Sequence, residues 1–244
     1  MKRILFFVSL FGIMFNANAQ YSNFFRGIGV FVGVNSSAHR YLNTNAPLKD
    51  VNNPIYSYYY PQNHYSHDFN SFATGLFLEF LRYDHVRWQT ELEYTQKGAI
   101  ERQIINWYTG DRGGLGVNVY QYIQWNNYLK YMGYQGDRGQ WYLMLGVKLE
   151  YLLSFAAPVF TPISGTFPKV WFSGDIGVGR EFFTWKRFNP FVEFHWNPDV
   201  IYQPLRLGST VRNRTFELRI GIIFRPLKKS IDDCNAPKYH GNYY

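Results

Sequence analysis

The sequence predicts an all-β fold, an eight-stranded antiparallel up-and-down transmembrane β-barrel, on three observations. Apolar and polar residues alternate with period two along most of the chain, which argues for strands with two unlike faces. The connections between these strands alternate between short and long, with short turns near Arg82–Val86, Gly136–Gly139 and Trp185–Phe188. The long ones cover about 38–67, 101–116, 156–168 and 204–211, and this is the plan of an outer-membrane barrel. The polar face also carries both glycines and charges of either sign, as a narrow filled lumen requires.

The first strand, about Phe25 to Ser37, sets Ile28, Val30, Val32 and Val34 against Gly27, Gly29, Phe31, Gly33 and Asn35. The second, about Asp68 to Arg82, sets Phe72, Leu76, Leu78 and Phe80 against Ala73, Gly75 and Glu79. In the third, about Val86 to Ile100, Val86, Trp88, Leu92 and Tyr94 oppose Arg87, Glu91, Glu93 and Lys97. The fourth, about Val117 to Tyr134, sets Val119, Ile123, Trp125 and Leu129 against Gln124, Asn126 and Lys130. The fifth, about Gln140 to Phe155, alternates most regularly: Trp141, Leu143, Leu145, Val147, Leu149, Tyr151 and Leu153 oppose Gly146, Lys148, Glu150 and Ser154. The sixth, about Lys169 to Thr184, sets Val170, Phe172, Ile176 and Val178 against Ser173, Asp175, Gly177, Gly179 and Glu181. The seventh, about Pro190 to Gln203, sets Val192, Phe194 and Trp196 against Glu193, His195 and Asn197. The eighth, "FELRIGIIF", sets Phe216, Leu218, Ile220, Ile222 and Phe224 against Glu217, Arg219 and Gly221. Strands of ten or more residues match the tilted span of a bilayer, about 9–11 residues.

Alternation alone does not say which face is inside. A soluble barrel has an apolar interior and a membrane barrel reverses it. Eight glycines fall on the polar face, at 27, 29, 33, 75, 146, 177, 179 and 221, and on a solvated exterior they would weaken the sheet for no packing gain. Enclosed charges need partners. The expected lumen network is Glu79, Arg87, Glu91, Glu93, Lys97, Lys130, Lys148, Glu150, Asp175, Glu181, Glu193, His195, Glu217 and Arg219. Large charged groups are expected to be accommodated by the small glycines. Trp88, Trp141, Trp171, Trp185, Tyr94, Tyr151, Phe155 and Phe182 are expected in the interfacial girdles.

The ends set the expected compartment. Lys2 and Arg3, an apolar run of about twelve residues and Ala17-Asn18-Ala19 read as a signal peptide over 1–19. The barrel is expected over 20–228 and a polar periplasmic tail over 229–244, with both termini in the periplasm of a Gram-negative bacterium. Aromatics make up 20% of the chain and there is one cysteine, Cys234, so no disulfide pair holds the fold. The formal charge of +8 is scattered through an exported chain. The expected partners are therefore membrane lipids and lipopolysaccharide and other cell-envelope proteins, with no nucleic acid.

No catalytic, cofactor or metal residues are predicted. His195 lies beside Glu193 on the polar face and reads as a network partner rather than a base needing a nucleophile. His64, His67 and Asp68 are ligand types by chemistry, but they sit in a polar loop with no further ligand cluster. "IYSYYYPQNHY" is a candidate partner loop through Tyr56, Tyr58, Tyr59, Tyr60 and Tyr65, since tyrosine offers large contact area at low conformational cost. The tail reads as flexible, with docking to a periplasmic partner as the functional alternative.

"ELEYTQKGA" (Glu91–Ala99) resembles the third-strand signature of the PorT family of Bacteroidetes outer-membrane barrels. "YIQWNNYLKY" is similar to that family's next strand, with Gln124 in place of an acid and Asn126 in place of proline. "WYLMLGVKLEYLLS" and "RNRTFELRIGIIF" resemble its fifth and last strands. The resemblance implies a non-enzymatic component required, through binding to secretion-system proteins, for type IX protein secretion, the export of proteases and adhesins that also supports gliding. The alternatives are an orphan structural or adhesive barrel and a lipid-modifying enzyme.

Overall fold

A computed structural model describes residues 25–42, 48–49, 57–58, 66–81, 83, 85–104, 112–136, 138–156, 168–183, 187–198, 203–204 and 210–225. The predicted signal peptide, the tail with Cys234, His64, Trp185, Tyr56, Tyr59, Tyr60 and Tyr65 lie outside these residues, and Tyr58 is described in its backbone alone. The described elements are β1 (Phe25–Leu42), β2 (Leu48–Lys49), β3 (Ser57–Tyr58), β4 (Phe69–Phe80), β5 (Val86–Ile104), β6 (Arg112–Gly136), β7 (Gly139–Ala156), β8 (Val170–Phe182), β9 (Phe188–Asn197), β10 (Gln203–Pro204) and β11 (Thr210–Phe224).

One antiparallel sheet runs β1-β4-β5-β6-β7-β8-β9-β11-β10, and pairing of β1 with β11 closes it. The sheet therefore has nine strands rather than the predicted eight. Eight of them form the closed wall, and the two-residue β10 adds to the far end of β11 through Gln203↔Val211 and Pro204↔Thr210. Closure removes the exposed edges that an apolar medium could not satisfy. A separate pairing joins β2 to β3.

The outer face is apolar. Val30 is 59% exposed, Leu145 62% and Ile220 55%. On β7 the outward run from Trp141 to Tyr151 spans ten residue steps, about 34 Å of strand. At a tilt of about 40° this is ~26 Å of height, close to the ~25 Å apolar band of outer-membrane barrels. Trp125 lies within this band and donates its indole N–H to Thr90 Oγ1 at 2.8 Å. Trp125→Phe keeps the apolar surface and removes the bond. It is expected to cost about 0.5–1.5 kcal/mol in urea unfolding from lipid vesicles, and an unchanged midpoint would mean that the bond contributes nothing.

Three predicted details are corrected. The expected loop over 101–116 is largely strand, because β5 continues to Ile104 and β6 begins at Arg112. A polar hairpin continuing past the membrane band needs no apolar alternation, so the pattern fades before the ladder does. Trp171, expected in a girdle, is buried on the inward face and donates its indole N–H to the Pro168 carbonyl at 2.7 Å. A register shift between Gln121 and Tyr122 in the β6–β7 ladder exchanges the roles of two further residues. Ser154, expected inward, pairs with Gln121 and donates to its Oε1 at 2.9 Å. Phe155, expected in a girdle, is exposed near the strand end but on the face of the buried Tyr120, their rings 6.4 Å apart. A bulge of this kind reverses the side on which later residues emerge.

Candidate functional site

All fourteen residues named for the lumen network are buried or nearly so, on the inward face of the wall. Alternation puts them there, since each shares its strand's parity with an inward glycine or amide. Arg219 on β11 is at the centre and has no exposed surface. Its Nη1 donates to Glu91 Oε2 at 2.9 Å and its Nη2 to Glu93 Oε2 at 2.7 Å. Nε and Nη2 donate to the two oxygens of Glu217 at 2.7 and 3.0 Å. The guanidinium also lies over Phe31, 4.4 Å from the ring centroid. The Asn126 amide donates to Glu91 and Glu93 at 3.2 and 2.6 Å, so each carboxylate has a second donor.

Around this centre lie smaller groups. Lys148 approaches Asp175 and Glu217 at 3.5 and 3.9 Å. His195 is held between Asp175 at 2.7 Å (Nδ1) and Glu193 at 3.2 Å (Nε2). Carboxylates only accept, so this arrangement is satisfied by a ring that donates from both nitrogens. Lys130 donates to Gln89 and Glu193 at 2.7 and 3.3 Å and stacks 4.0 Å from the Tyr142 ring centroid. Toward the long-loop end, Lys97 donates to Glu150 at 2.7 Å, and Glu150 also accepts from Ser173 at 3.1 Å.

The short-turn end is closed by a cluster that sequence reading saw only in part. Arg87 donates to Glu181 and Gln140, both at 3.2 Å. Two arginines join it that were not predicted. Arg225, just past the last strand, turns back to hold Glu181 at 2.9 and 2.6 Å and pairs with Glu79. Arg26 shares the parity of the lipid-facing Ile28. A register shift between Phe25 and Gly27 re-aims it, and its Nε lies 3.4 Å from Glu79. With these two, the described lumen places Arg26, Arg87, Lys97, Lys130, Lys148, Arg219, Arg225 and His195 against Glu79, Glu91, Glu93, Glu150, Asp175, Glu181, Glu193 and Glu217. Such matching fits the cost of burying unpaired charge.

The lumen also contains an apolar layer. Phe31, Phe77, Phe191 and Ile223 form one buried cluster, and Tyr128, Met132, Tyr142 and Met144 another. The glycines mainly seat these rings rather than charged groups, which corrects the expected reason for them. Phe77 is paired directly with Gly29, Phe31 with Gly75, Tyr128 with Gly146, Tyr142 with Gly179 and Phe191 with Gly221. Two seats serve charged or ionisable groups, Gly177 beside His195 and Gly33 beside Arg219 and Glu217.

His67 pairs with Ile100 in an isolated bridge, and Asp68 meets Arg214 at 3.2 Å. Among the described residues no group of three or more His, Cys, Asp or Glu is placed to hold a metal.

An apolar band outside and a charge-balanced, filled interior define an outer-membrane β-barrel. No protein-family model matches the chain, and no curated protein sequence matches it. Solved structures do. The chain is similar to the outer membrane protein OprG from Pseudomonas aeruginosa at 10% identity and a TM-score of 0.50, covering 83% of this chain and 98% of that one. Neisserial surface protein A aligns at 10% identity and a TM-score of 0.42, over 81% of this chain and 97% of that one. The likeness to OprG is one of fold.

Proposed function

We propose that the chain is a non-enzymatic outer-membrane component of the kind the PorT resemblance implies, required for type IX secretion and acting through partner binding. The observation that carries this reading is the filled lumen. Interlocked charges around Arg219 and the aromatic layer beside them occupy the interior, so the wall serves as an anchor and the chain's ends and loops supply the contacts. Both termini are assigned to the periplasm and the long-loop end to the cell exterior. His195 supports a non-catalytic reading, because both its nitrogens are engaged by carboxylates and no Ser, Thr or Cys is bonded to it among the described residues.

Deletion of the gene is expected to leave exported proteases and adhesins inside the cell and to stop gliding, with both restored by the wild-type gene. Normal cargo export in the deletion strain would reject the secretion role and leave the barrel assignment standing.

A further inference from the structure

The aromatic girdle at the short-turn end of the wall contains a cation. Phe80 and Trp88 lie 5.0 Å apart there, and Phe188 and Phe224 5.2 Å. Rings grouped at strand ends mark the membrane interface. On β8 the same row holds Arg180, which shares the outward parity of Ile176 and Val178. The register sets Arg180 directly opposite Trp141 on β7 and Val192 on β9.

Two rings seat the guanidinium. Its Cζ lies 5.2 Å from the Trp141 ring centroid and 5.1 Å from that of Phe182, both within cation–π range. Trp141 is itself at the edge of the apolar band, so Arg180 stands where hydrocarbon gives way to headgroups. Its long stem can carry the charge outward from that edge. Phe182 is two residues nearer the turn and draws the guanidinium to the headgroup side.

Among the described residues no carboxylate pairs with Arg180, and its Nε is covered without a hydrogen-bond partner. The carboxylates described at this end, Glu79 and Glu181, face the lumen and are held by Arg26, Arg87 and Arg225. Two more cations flank Arg180. The Arg138 carbonyl accepts from the Phe183 N–H at 3.2 Å, which places Arg138 beside the end of β8, and Arg187 immediately precedes β9. Both are exposed. Arg138 is level with Phe183, three residues past Arg180, roughly 8 Å further out at the usual strand tilt. The headgroup layer is about 5–8 Å deep on each side of the hydrocarbon, so these charges bracket the level of lipid phosphates. The two Nη groups of Arg180 form a planar fork that matches phosphate oxygens.

We propose that Arg180 binds the phosphate of a membrane glycerophospholipid at the short-turn end of the β7–β8–β9 sector, with Arg138 and Arg187 supplying the surrounding positive field. The site rests on the bilayer-spanning barrel and is independent of any role in secretion.

The test uses the full chain, refolded in dodecylmaltoside and analysed by native mass spectrometry. It is titrated with phosphatidylglycerol, with diacylglycerol of the same acyl chains, and with inorganic phosphate as competitor. Wild-type protein should retain phosphatidylglycerol at least about tenfold more tightly than diacylglycerol, as one charge-assisted contact implies. Arg180→Gln should lose most of that preference, and Arg180→Lys should keep part of it, since a point charge cannot fork. The double variant Arg138→Gln, Arg187→Gln should lose less than Arg180→Gln. Heat-dependent electrophoretic mobility checks that each variant still forms the barrel, which separates a lost site from a lost fold. Equal retention of the two lipids by the wild type, or an unchanged preference in Arg180→Gln, overturns the site. A preference lost only in the double variant moves the contact away from Arg180 and overturns it as well. Displacement of phosphatidylglycerol by inorganic phosphate at equal concentration overturns the assignment to a lipid.

Discussion

Arg219→Met is expected to destabilise the barrel by about 3–5 kcal/mol, the cost of leaving buried charge without its partner. The change removes the donors that Glu91, Glu93 and Glu217 share and leaves three carboxylates close together in a lumen from which water is largely excluded. Methionine is apolar but ends about where Arg219 has its Nε, so the change removes the guanidinium's contact over Phe31 along with its charge. Arg219→Lys should fall between the two, because a point charge cannot fork to three acceptors. Adding Glu217→Gln to Arg219→Met should recover part of the loss by removing one of the unpaired charges. The measurement is urea unfolding from lipid vesicles followed by tryptophan fluorescence. If Arg219→Met shifts the free energy by less than about 1 kcal/mol, as an exposed ion pair would, the centre of the lumen is hydrated and the network is not the support described above.

Much of this arrangement could be read from the chain. A membrane barrel places lipid on one side of each strand and a polar interior on the other, so parity alone assigns most side chains. Glu217 and Arg219 between Phe216, Leu218 and Ile220 are the clearest case. Parity fails where the backbone departs from a regular ladder. Arg26 has the parity of Ile28 and would face lipid, but the irregularity between Phe25 and Gly27 turns it toward Glu79. Ser154 and Phe155 exchange roles at the shift beside Gln121. Arg225 follows the last strand, where alternation makes no statement, and it closes the short-turn end. Polarity fails in a second way. Phe31 has lumen parity in the sequence, yet a polar lumen gives no reason for Phe77 and Phe191 to join it. Packing supplies that reason, since each ring covers a glycine directly across the ladder.

That packing makes Gly179 the position where the smallest change should have a large effect. A Cβ there would lie 2.5 Å from both Cε2 and Cζ of Tyr142 and 2.7 Å from its hydroxyl oxygen. The ring must move, and it is held by two contacts: its hydroxyl donates to Glu193 at 2.7 Å, and Lys130 Nζ sits 4.0 Å from its centroid. Overpacking typically costs 1–3 kcal/mol and a hydrogen bond to a charged group about 1.5–3, so Gly179→Ala should lose roughly 3 kcal/mol. Gly29 and Gly221 seat rings in the same way, but a carbonyl oxygen from the neighbouring strand also crowds each of them, Ile222 O at Gly29 and Val30 O at Gly221. Substitutions there mix ring displacement with ladder distortion. At Gly179 the three nearest atoms all belong to one removable side chain, so a double-mutant cycle isolates the cause. In a Tyr142→Ala background, Gly179→Ala should cost less than about 1 kcal/mol, giving a coupling of about 2–3 kcal/mol between the two positions. It could even stabilise, because alanine in a strand interior loses less backbone entropy than glycine. Equal costs in the two backgrounds would show that Gly179 serves the strand itself, and the account of the glycines as seats for aromatic rings would fail at its most exacting position.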